Sequence, residues 1–313
     1  MSRKPAITAT GLKKAYDDKT VLDGIDISVD RGTVFALLGP NGAGKTTIVE
    51  ILSTLVPADG GDIRIAGYNP SDDPDAVRSR IGVTGQFSAV DDYLSGEENL
   101  LLMADLHHLG KDERRTRTDE LLKKFDLVES AEKLASTYSG GMRRRLDLAM
   151  TLIGRPEIIF LDEPTTGLDP RSRRTMWQII RELVKGGVTI FLTTQYLEEA
   201  DQLADHIAVL DQGRIVAQGT AAELKRRIPG GHIRLHFFDR DQLDSAATVF
   251  DESSRDDAAY VLQVPSDGGV RSLRSLLDQL DAHSIDVKEL SVHTPDLDDV
   301  FLTLTATERT EAR

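Results

Sequence analysis

Gly39-Pro40-Asn41-Gly42-Ala43-Gly44-Lys45-Thr46 is the stretch that decides the fold. It fits G-x-x-x-x-G-K-[ST], in which glycines let backbone N–H groups surround a polyphosphate. The flanks agree with the letters. Thr33-Val34-Phe35-Ala36-Leu37-Leu38 is a short, almost wholly apolar run, as expected of a buried strand. Thr47-Ile48-Val49-Glu50-Ile51-Leu52 then reads as a helix. A strand, a glycine loop and a helix start together aim backbone donors and the positive end of a helix dipole at an anion. A nucleoside triphosphate is therefore expected on Gly39, Pro40, Asn41, Gly42, Ala43, Gly44, Lys45, Thr46 and Thr47. Lys45 reaches the terminal phosphates in this reading, and the Thr46 hydroxyl holds Mg²⁺.

Composition narrows what surrounds that site. A chain of 313 residues, 40% hydrophobic and 29% charged, suits a soluble globular protein of one or two domains. No run approaches the roughly 18 apolar residues that span a bilayer. Met1-Ser2-Arg3-Lys4-Pro5 leads into no signal-type apolar core. With no cysteine, thiolate metal sites, disulfides and cysteine nucleophiles are excluded, which fits a reducing compartment. The net charge of −14 argues against a nucleic-acid partner, because such a surface needs clustered Lys and Arg.

A phosphate loop needs a partner that holds the metal and positions water. Ile158-Ile159-Phe160-Leu161-Asp162-Glu163 supplies one, with two carboxylates emerging where an apolar strand ends. Strand ends are where α/β sheets place ligands. Asp162 is expected to bind Mg²⁺, and Glu163 to act as general base or water-orienting carboxylate.

Between the two lies Tyr138-Ser139-Gly140-Gly141-Met142-Arg143. Here the chain resembles the ATP-binding cassette (ABC) family, whose signature is usually Leu-Ser-Gly-Gly-Gln. Tyr138 and Met142 depart from it, while Ser139, Gly140 and Gly141 keep the centre. A hydroxyl and two amides without side chains at a helix start suit a γ-phosphate. Further family elements follow in order: Tyr16 as the adenine-stacking aromatic, and Gln86 as the residue that touches Mg²⁺ and couples to a membrane partner. Gly167-Leu168-Asp169 matches the loop that communicates between two cassettes. Gln195, in Thr193-Thr194-Gln195-Tyr196, stands where most cassettes place a histidine on the γ-phosphate. An amide there hydrogen-bonds but takes up no proton near neutral pH, so turnover rests more heavily on Glu163. His206 is expected to face solvent or pack beside the strand Ile207-Ala208-Val209-Leu210.

The resemblance covers residues 6 to 220 and implies an α/β fold: a P-loop ABC cassette of mixed sheet plus helical subdomain, followed by a small C-terminal α+β domain. The expected boundaries are 6–228 for the cassette, about 87–150 for its helical subdomain, 229–307 for the accessory domain and 308–313 for a frayed tail. Ile228-Pro229-Gly230-Gly231 marks the break. In the subdomain, Ser95 to Leu109 reads as a helix, Lys111 to Thr118 as a charged exposed segment, and Asp119 to Phe125 as another helix. Phe87, Val90, Tyr93 and Leu94 read either as subdomain core or as an exposed docking groove. Beyond the break, Ile233 to Phe238 and Ala259 to Val264 look like strands. Val270 to Leu280 reads as a helix, Ile285 to Val292 as a half-buried strand, and Asp298 to Leu304 as a short helix.

Thr194 to Asp201 and Pro295-Asp296-Leu297-Asp298-Asp299-Val300-Phe301-Leu302 resemble the daunorubicin and doxorubicin resistance type of ABC ATPase, a group that also carries the glutamine found at Gln195. That resemblance implies an ATPase, with ATP and Mg²⁺, that energises an exporter of lipophilic compounds through a separate integral membrane permease. One phosphate loop and one signature imply a head-to-tail, ATP-sandwiched pair at the cytoplasmic face of the cell membrane, formed with a second copy or, less readily, with a second cassette protein. The competing class is a soluble cassette acting on ribosomes or nucleic acid. Such proteins usually carry tandem cassettes or a long coiled-coil insertion, and neither is present. The accessory domain is left as a dimerisation aid, a regulator of opening, or a stabilising cap.

Overall fold

The computed structural model describes residues 4–85, 88–226, 231–251, 253–267, 269–293 and 296–301. They fall into two compact units, Met1–Ala221 and Ala222–Arg313. The first unit opens with β1 (Ile7–Tyr16), β2 (Lys19–Val29) and β3 (Val34–Leu38), then α1 (Lys45–Leu52), β4 (Gly60–Ile65), α2 (Pro74–Arg78) and β5 (Ile81–Thr84). Helices α3 (Gly96–Leu106), α4 (Lys111–Lys124) and α5 (Gly140–Thr151) follow. The unit continues through β6 (Ile158–Asp162), α6 (Pro170–Lys185), β7 (Thr189–Thr194), α7 (Leu197–Leu203), β8 (His206–Asp211) and β9 (Arg214–Gly219).

Two sheets face each other in this unit. Among the described residues one is six-stranded, in the order β5-β6-β7-β3-β8-β9, parallel except for the last pair. The other is a three-stranded antiparallel sheet, β2-β1-β4. Strands β3, β6 and β7 are buried along their whole length, which is why β3 and the first four residues of β6 read as uninterrupted apolar runs; β7 keeps Thr189, Thr193 and Thr194 inside as well. Ile48, Ile51 and Leu52 of α1 share one core with Leu12, Leu22 and Ile25 of the small sheet and Phe35, Phe160 and Phe191 of the large one. The helix that carries Lys45 and Thr46 is thereby clamped between two sheets.

The helical region differs from expectation in its middle. Lys111 to Thr118 is not a separate segment but the first half of α4. Asp112 and Glu113 in the first turn and Lys123 and Lys124 in the last match the helix dipole. Arg114 pairs with Asp105 of α3, and Arg117 donates to Leu152 O at 2.7 Å. The charges are anchored, and apolar periodicity alone misses a helix built this way. Helix α3 starts on a capping box, in which Ser95 Oγ accepts from Glu98 N and Ser95 N donates to Glu98 Oε2. Tyr93 is 90% exposed, but Val90 is buried and belongs to the core, so the four apolar residues grouped above do not form one exposed set. Phe87 lies outside the described residues.

From Ala222 the second unit comprises all but the first residue of α8 (Ala221–Arg226), then β10 (His232–Phe237), α9 (Arg240–Val249), β11 (Ser254–Asp256), β12 (Val261–Pro265), α10 (Val270–Ala282) and β13 (Val287–His293). Its antiparallel sheet runs β11-β12-β10-β13. Ile233, Leu235, Phe237, Leu243, Leu262, Leu276 and Leu280 form a core of its own. Residues 297–301 are helical, and the break at residues 228–230 lies outside the described residues.

Candidate functional site

Register places the site. Thr84 of β5 pairs with Leu161 of β6, Asp162 with Thr193 of β7, and Thr194 with Leu38 of β3. The segments that leave these strands, starting at Gly85, Glu163, Gln195 and Gly39, therefore emerge side by side from one edge of the sheet. Residues more than a hundred positions apart share one crevice.

The glycines of the loop are there for geometry. A Cβ on Gly39 would lie 2.3 Å from Leu210 O, so the loop passes β8 backbone to backbone. Gly44 has φ +109, and a Cβ there would meet Leu22 Cδ2 at 2.7 Å. Gly39 N is held by Thr194 O at 3.2 Å. Lys45 is buried, and its ammonium donates to Gly39 O at 2.9 Å and Pro40 O at 3.1 Å. It also lies 3.4 Å from Glu163 Oε1.

Glu163 is held in an unusual backbone state, φ +47, that few residues other than glycine adopt. Its N–H donates to Thr193 O and to Thr193 Oγ1 at 3.0 Å, and Thr166 Oγ1 donates to its Oε2. Asp162 accepts from two hydroxyls, Thr46 Oγ1 on Oδ2 at 3.0 Å and Thr193 Oγ1 on Oδ1. Thr193 thus braces the Asp162 carboxylate and the Glu163 backbone. It escapes sequence reading because a threonine closing a β-branched strand looks like strand filler.

A cavity of about 380 Å³ opens over these groups, lined by Val21, Asn41, Gly42, Gly44, Lys45, Thr46, Thr47 and Glu163. Size does not single it out, since a groove beside Glu97 and Asp119 is larger, at about 510 Å³. Its chemistry does: one buried ammonium, one carboxylate, and backbone N–H groups of a glycine turn. The structure brings Lys45, Thr46, Asp162 and Glu163 together. It does not bring Ser139, Gly140 or Gly141 into that cavity. Tyr16, at the end of β1, is 43% exposed with Lys14 Nζ 5.2 Å above its ring, and is not among the lining residues. Gln195 is half-buried directly after β7, and Gln86 lies outside the described residues. His206 begins β8 and stacks on Phe35, so it is a packing residue.

The Ser139 segment is built as a helix start presented outward. Ser139 Oγ accepts from Met142 N at 3.3 Å and caps α5. A Cβ on Gly140 would meet nothing within 4 Å, whereas one on Gly141 would lie 2.4 Å from Ser172 Oγ. Ser172 follows Asp169, which caps α6 by accepting from Arg171 N, Ser172 N and Ser172 Oγ. The hydrogen bond from the Ser172 hydroxyl is the main cause holding the Asp169 carboxyl below the ordinary carboxylate range.

A family model described as "ABC transporter" matches residues 22–166, and one described as "ATP-binding protein DrrA1-3-like, C-terminal domain" matches residues 219–305. The chain is 48% identical to the daunorubicin resistance ATP-binding protein DrrA3 of Streptomyces coeruleorubidus, covering 97% of each chain. This chain is an ABC ATPase of the daunorubicin-resistance type. It is also 44% identical to the daunorubicin/doxorubicin resistance ATP-binding protein DrrA of Streptomyces peucetius, across 96% of this chain and 92% of that one. Among solved structures, an ATP-binding subunit of an ABC transporter superimposes with a TM-score of 0.64 at 29% identity, over 71% of this chain and 92% of that one. The ABC cassette MJ0796, solved as a dimer in a post-hydrolysis state with ADP and Pi, matches with a TM-score of 0.62 at 25% identity. That match covers 68% of this chain and 98% of MJ0796.

Proposed function

We propose that this ABC ATPase hydrolyses ATP to drive a separate membrane permease that exports a lipophilic drug-like compound, working at the cytoplasmic face of the membrane. The observation that carries the reading is the convergence of Lys45, Thr46, Asp162 and Glu163 at one sheet edge in a chain that matches drug-resistance ATP-binding proteins along nearly its whole length. Among the described residues no helix is long and apolar enough to cross a membrane. A partner would have to supply the path.

The chemistry follows from the groups present. Water attacks the γ-phosphorus in line, the bond to the β-γ bridging oxygen breaks, and ADP and inorganic phosphate leave. Glu163 Oε1 and Oε2 orient that water and take its proton. Lys45 exchanges its contacts with Gly39 O and Pro40 O for phosphate oxygens and neutralises developing charge. Thr46 Oγ1 and Asp162 Oδ2, a hydroxyl and a carboxylate in hydrogen-bond contact, are hard oxygen donors of the kind Mg²⁺ takes alongside substrate phosphates. Bound there, Mg²⁺ would offset charge on the phosphate oxygens. Gln195 acts as a hydrogen-bonding sensor of the γ-phosphate, and Tyr16 stacks on adenine.

Two copies complete the machine. Ser139 and Gly140 are exposed and none of Ser139–Gly141 lines the Lys45 cavity of its own chain, so a head-to-tail partner is what can place them on ATP. The dimeric state of MJ0796 supports the pairing. The test uses Glu163→Gln expressed in the native host and purified from detergent-solubilised membranes with ATP, with co-purifying chains identified by mass spectrometry. A multi-spanning membrane protein in near-equal amount is the expected result. Ribosomal or DNA-repair proteins with no membrane chain would overturn it.

A further inference from the structure

One buried guanidinium outside the cavity gathers the ends of several site elements. Arg144, on α5, is 12% exposed at its side chain. Its Nε donates to Pro164 O, one Nη to Asp162 O and the other Nη to Gly85 O, each at 3.0 Å. The Nη on Gly85 O also meets Asp147 Oδ2 at 3.2 Å. Asp147, one turn further along α5 and itself buried, accepts from Ala89 N through its other oxygen at 3.1 Å. Gly85 and Ala89 bracket Gln86 in the chain, and Asp162 and Pro164 bracket Glu163. Thr151, a turn later still, meets Thr84 of β5 hydroxyl to hydroxyl at 2.9 Å.

We propose that Arg144, seated by Asp147, is a positioning residue of the ATPase reaction: it fixes the chain on either side of Glu163 and at both approaches to Gln86 to the same helix that begins at Ser139. The inference rests on the ATPase role of Glu163 given above. Three carbonyls in three directions call for a planar fork of donors, which arginine has and lysine lacks. Burying a guanidinium and a carboxylate is costly, and apolar side chains of similar volume often fill such a space at lower cost. Burial pulls the Arg144 pKa down and pushes the Asp147 pKa up, and each partner opposes the other's shift. A helix is stiff over this length, so Ser139, Glu163 and the flanks of Gln86 share one frame.

The test compares the full-length protein with Arg144→Lys and with the double variant Arg144→Met, Asp147→Leu. Steady-state ATP hydrolysis, binding of a fluorescent ATP analogue and thermal melting are measured for each. Arg144→Lys keeps the charge beside Asp147 but lacks the fork. We expect kcat to fall about 10- to 100-fold while the analogue's Kd moves less than about 3-fold, the pattern of a lost outer-shell partner. The double variant removes both buried charges but leaves Ala89 N and three carbonyls without their partners, so it should melt somewhat below the native temperature while losing far more in kcat than in analogue affinity. Native kcat in either variant would overturn the proposal. So would a kcat loss matched by equal losses in melting temperature and analogue affinity. Glu163→Gln run alongside separates the two levels: native turnover in that control would instead overturn the role of Glu163, and the proposal with it.

Discussion

Glu199 sits on α7 with none of its surface exposed, four residues after Gln195. Its Oε1 accepts from Trp177 Nε1 of α6 at 3.1 Å, and Oε2 has no hydrogen-bond partner among the described residues. Burial pushes its carboxyl above the ordinary value of 4.5, and the nearby Thr194 and Thr165 hydroxyls, the Trp177 N–H and the Arg173 charge only partly offset this. Arg173 is itself engaged, with Glu198 at 3.7 Å and over the Tyr196 ring. A carboxyl whose pKa is raised on folding favours the folded state fully below its unfolded pKa. That contribution is lost as pH rises through the folded value. Glu199→Gln cannot ionise, so its melting temperature relative to the native protein should climb as pH rises from about 5 to 8.5. Each tenfold preference of the fold for the protonated acid is worth about 1.4 kcal/mol, or roughly 3–6 °C in a domain of this size. Glu199→Leu, in contrast, strands the Trp177 N–H at about 1–3 kcal/mol at every pH. Trp177 is the single tryptophan of the chain, so its emission reports the event directly while melting is followed in parallel. A melting difference between Gln and Glu that stays flat with pH, together with unchanged Trp177 emission, would refute the reasoning.

Three further outcomes are expected. Gln195→Ala should lower phosphate release about tenfold or more with nucleotide affinity retained, and normal turnover would remove Gln195 from the reaction. Gly39→Ala forces a Cβ against Leu210 O, at about 1–3 kcal/mol of overpacking. A drop in melting temperature and weaker binding of a fluorescent ATP analogue check it, and neither changing would contradict the close approach. Truncation after Gly230 should leave a folded, nucleotide-binding cassette, because the two units hold separate cores. Loss of soluble, cooperatively melting protein would show otherwise, and unchanged dimerisation and coupled transport would assign the removed unit to a stabilising cap.

What was legible in the sequence follows what burial does to pattern. Strands 34–38 and 158–162 read directly because a parallel strand covered on both faces is apolar throughout. Strands β1 and β2 did not read, since the register shifts between Ala9 and Leu12, around a Gly11 of φ +62, break the alternation. Lys45, Thr46, Asp162 and Glu163 stand in fixed spacings that chemistry imposes, and these four are the groups the fold brings into contact. Arg144 was invisible for the opposite reason. It is the middle of Arg143-Arg144-Arg145, three identical letters with three destinations. Arg143 pairs with Asp92, Arg145 reaches Phe125 O and Asp126, and Arg144 reaches the strand ends at Gly85 and Asp162. Glu198 and Glu199 repeat the lesson, one exposed and one buried by helical phase alone.

Strand β3 is inserted between β7 and β8, whose first residues lie about 150 positions or more further along the chain. At a synthesis rate of 5–20 residues per second it waits about 10–30 s for a neighbour. Meanwhile β1, β2 and β4 can close their local antiparallel pairs, because short loops cost less entropy to close. The glycine loop is thus translated early but acquires its floor, Thr194 O beneath Gly39 N and Leu210 O beside it, only after β8 has left the ribosome. ATP is therefore a late ligand for the growing polypeptide. It stabilises a finished sheet and gives no shelter to the apolar β3 before then, which makes that strand the segment a nascent-chain chaperone would need to cover.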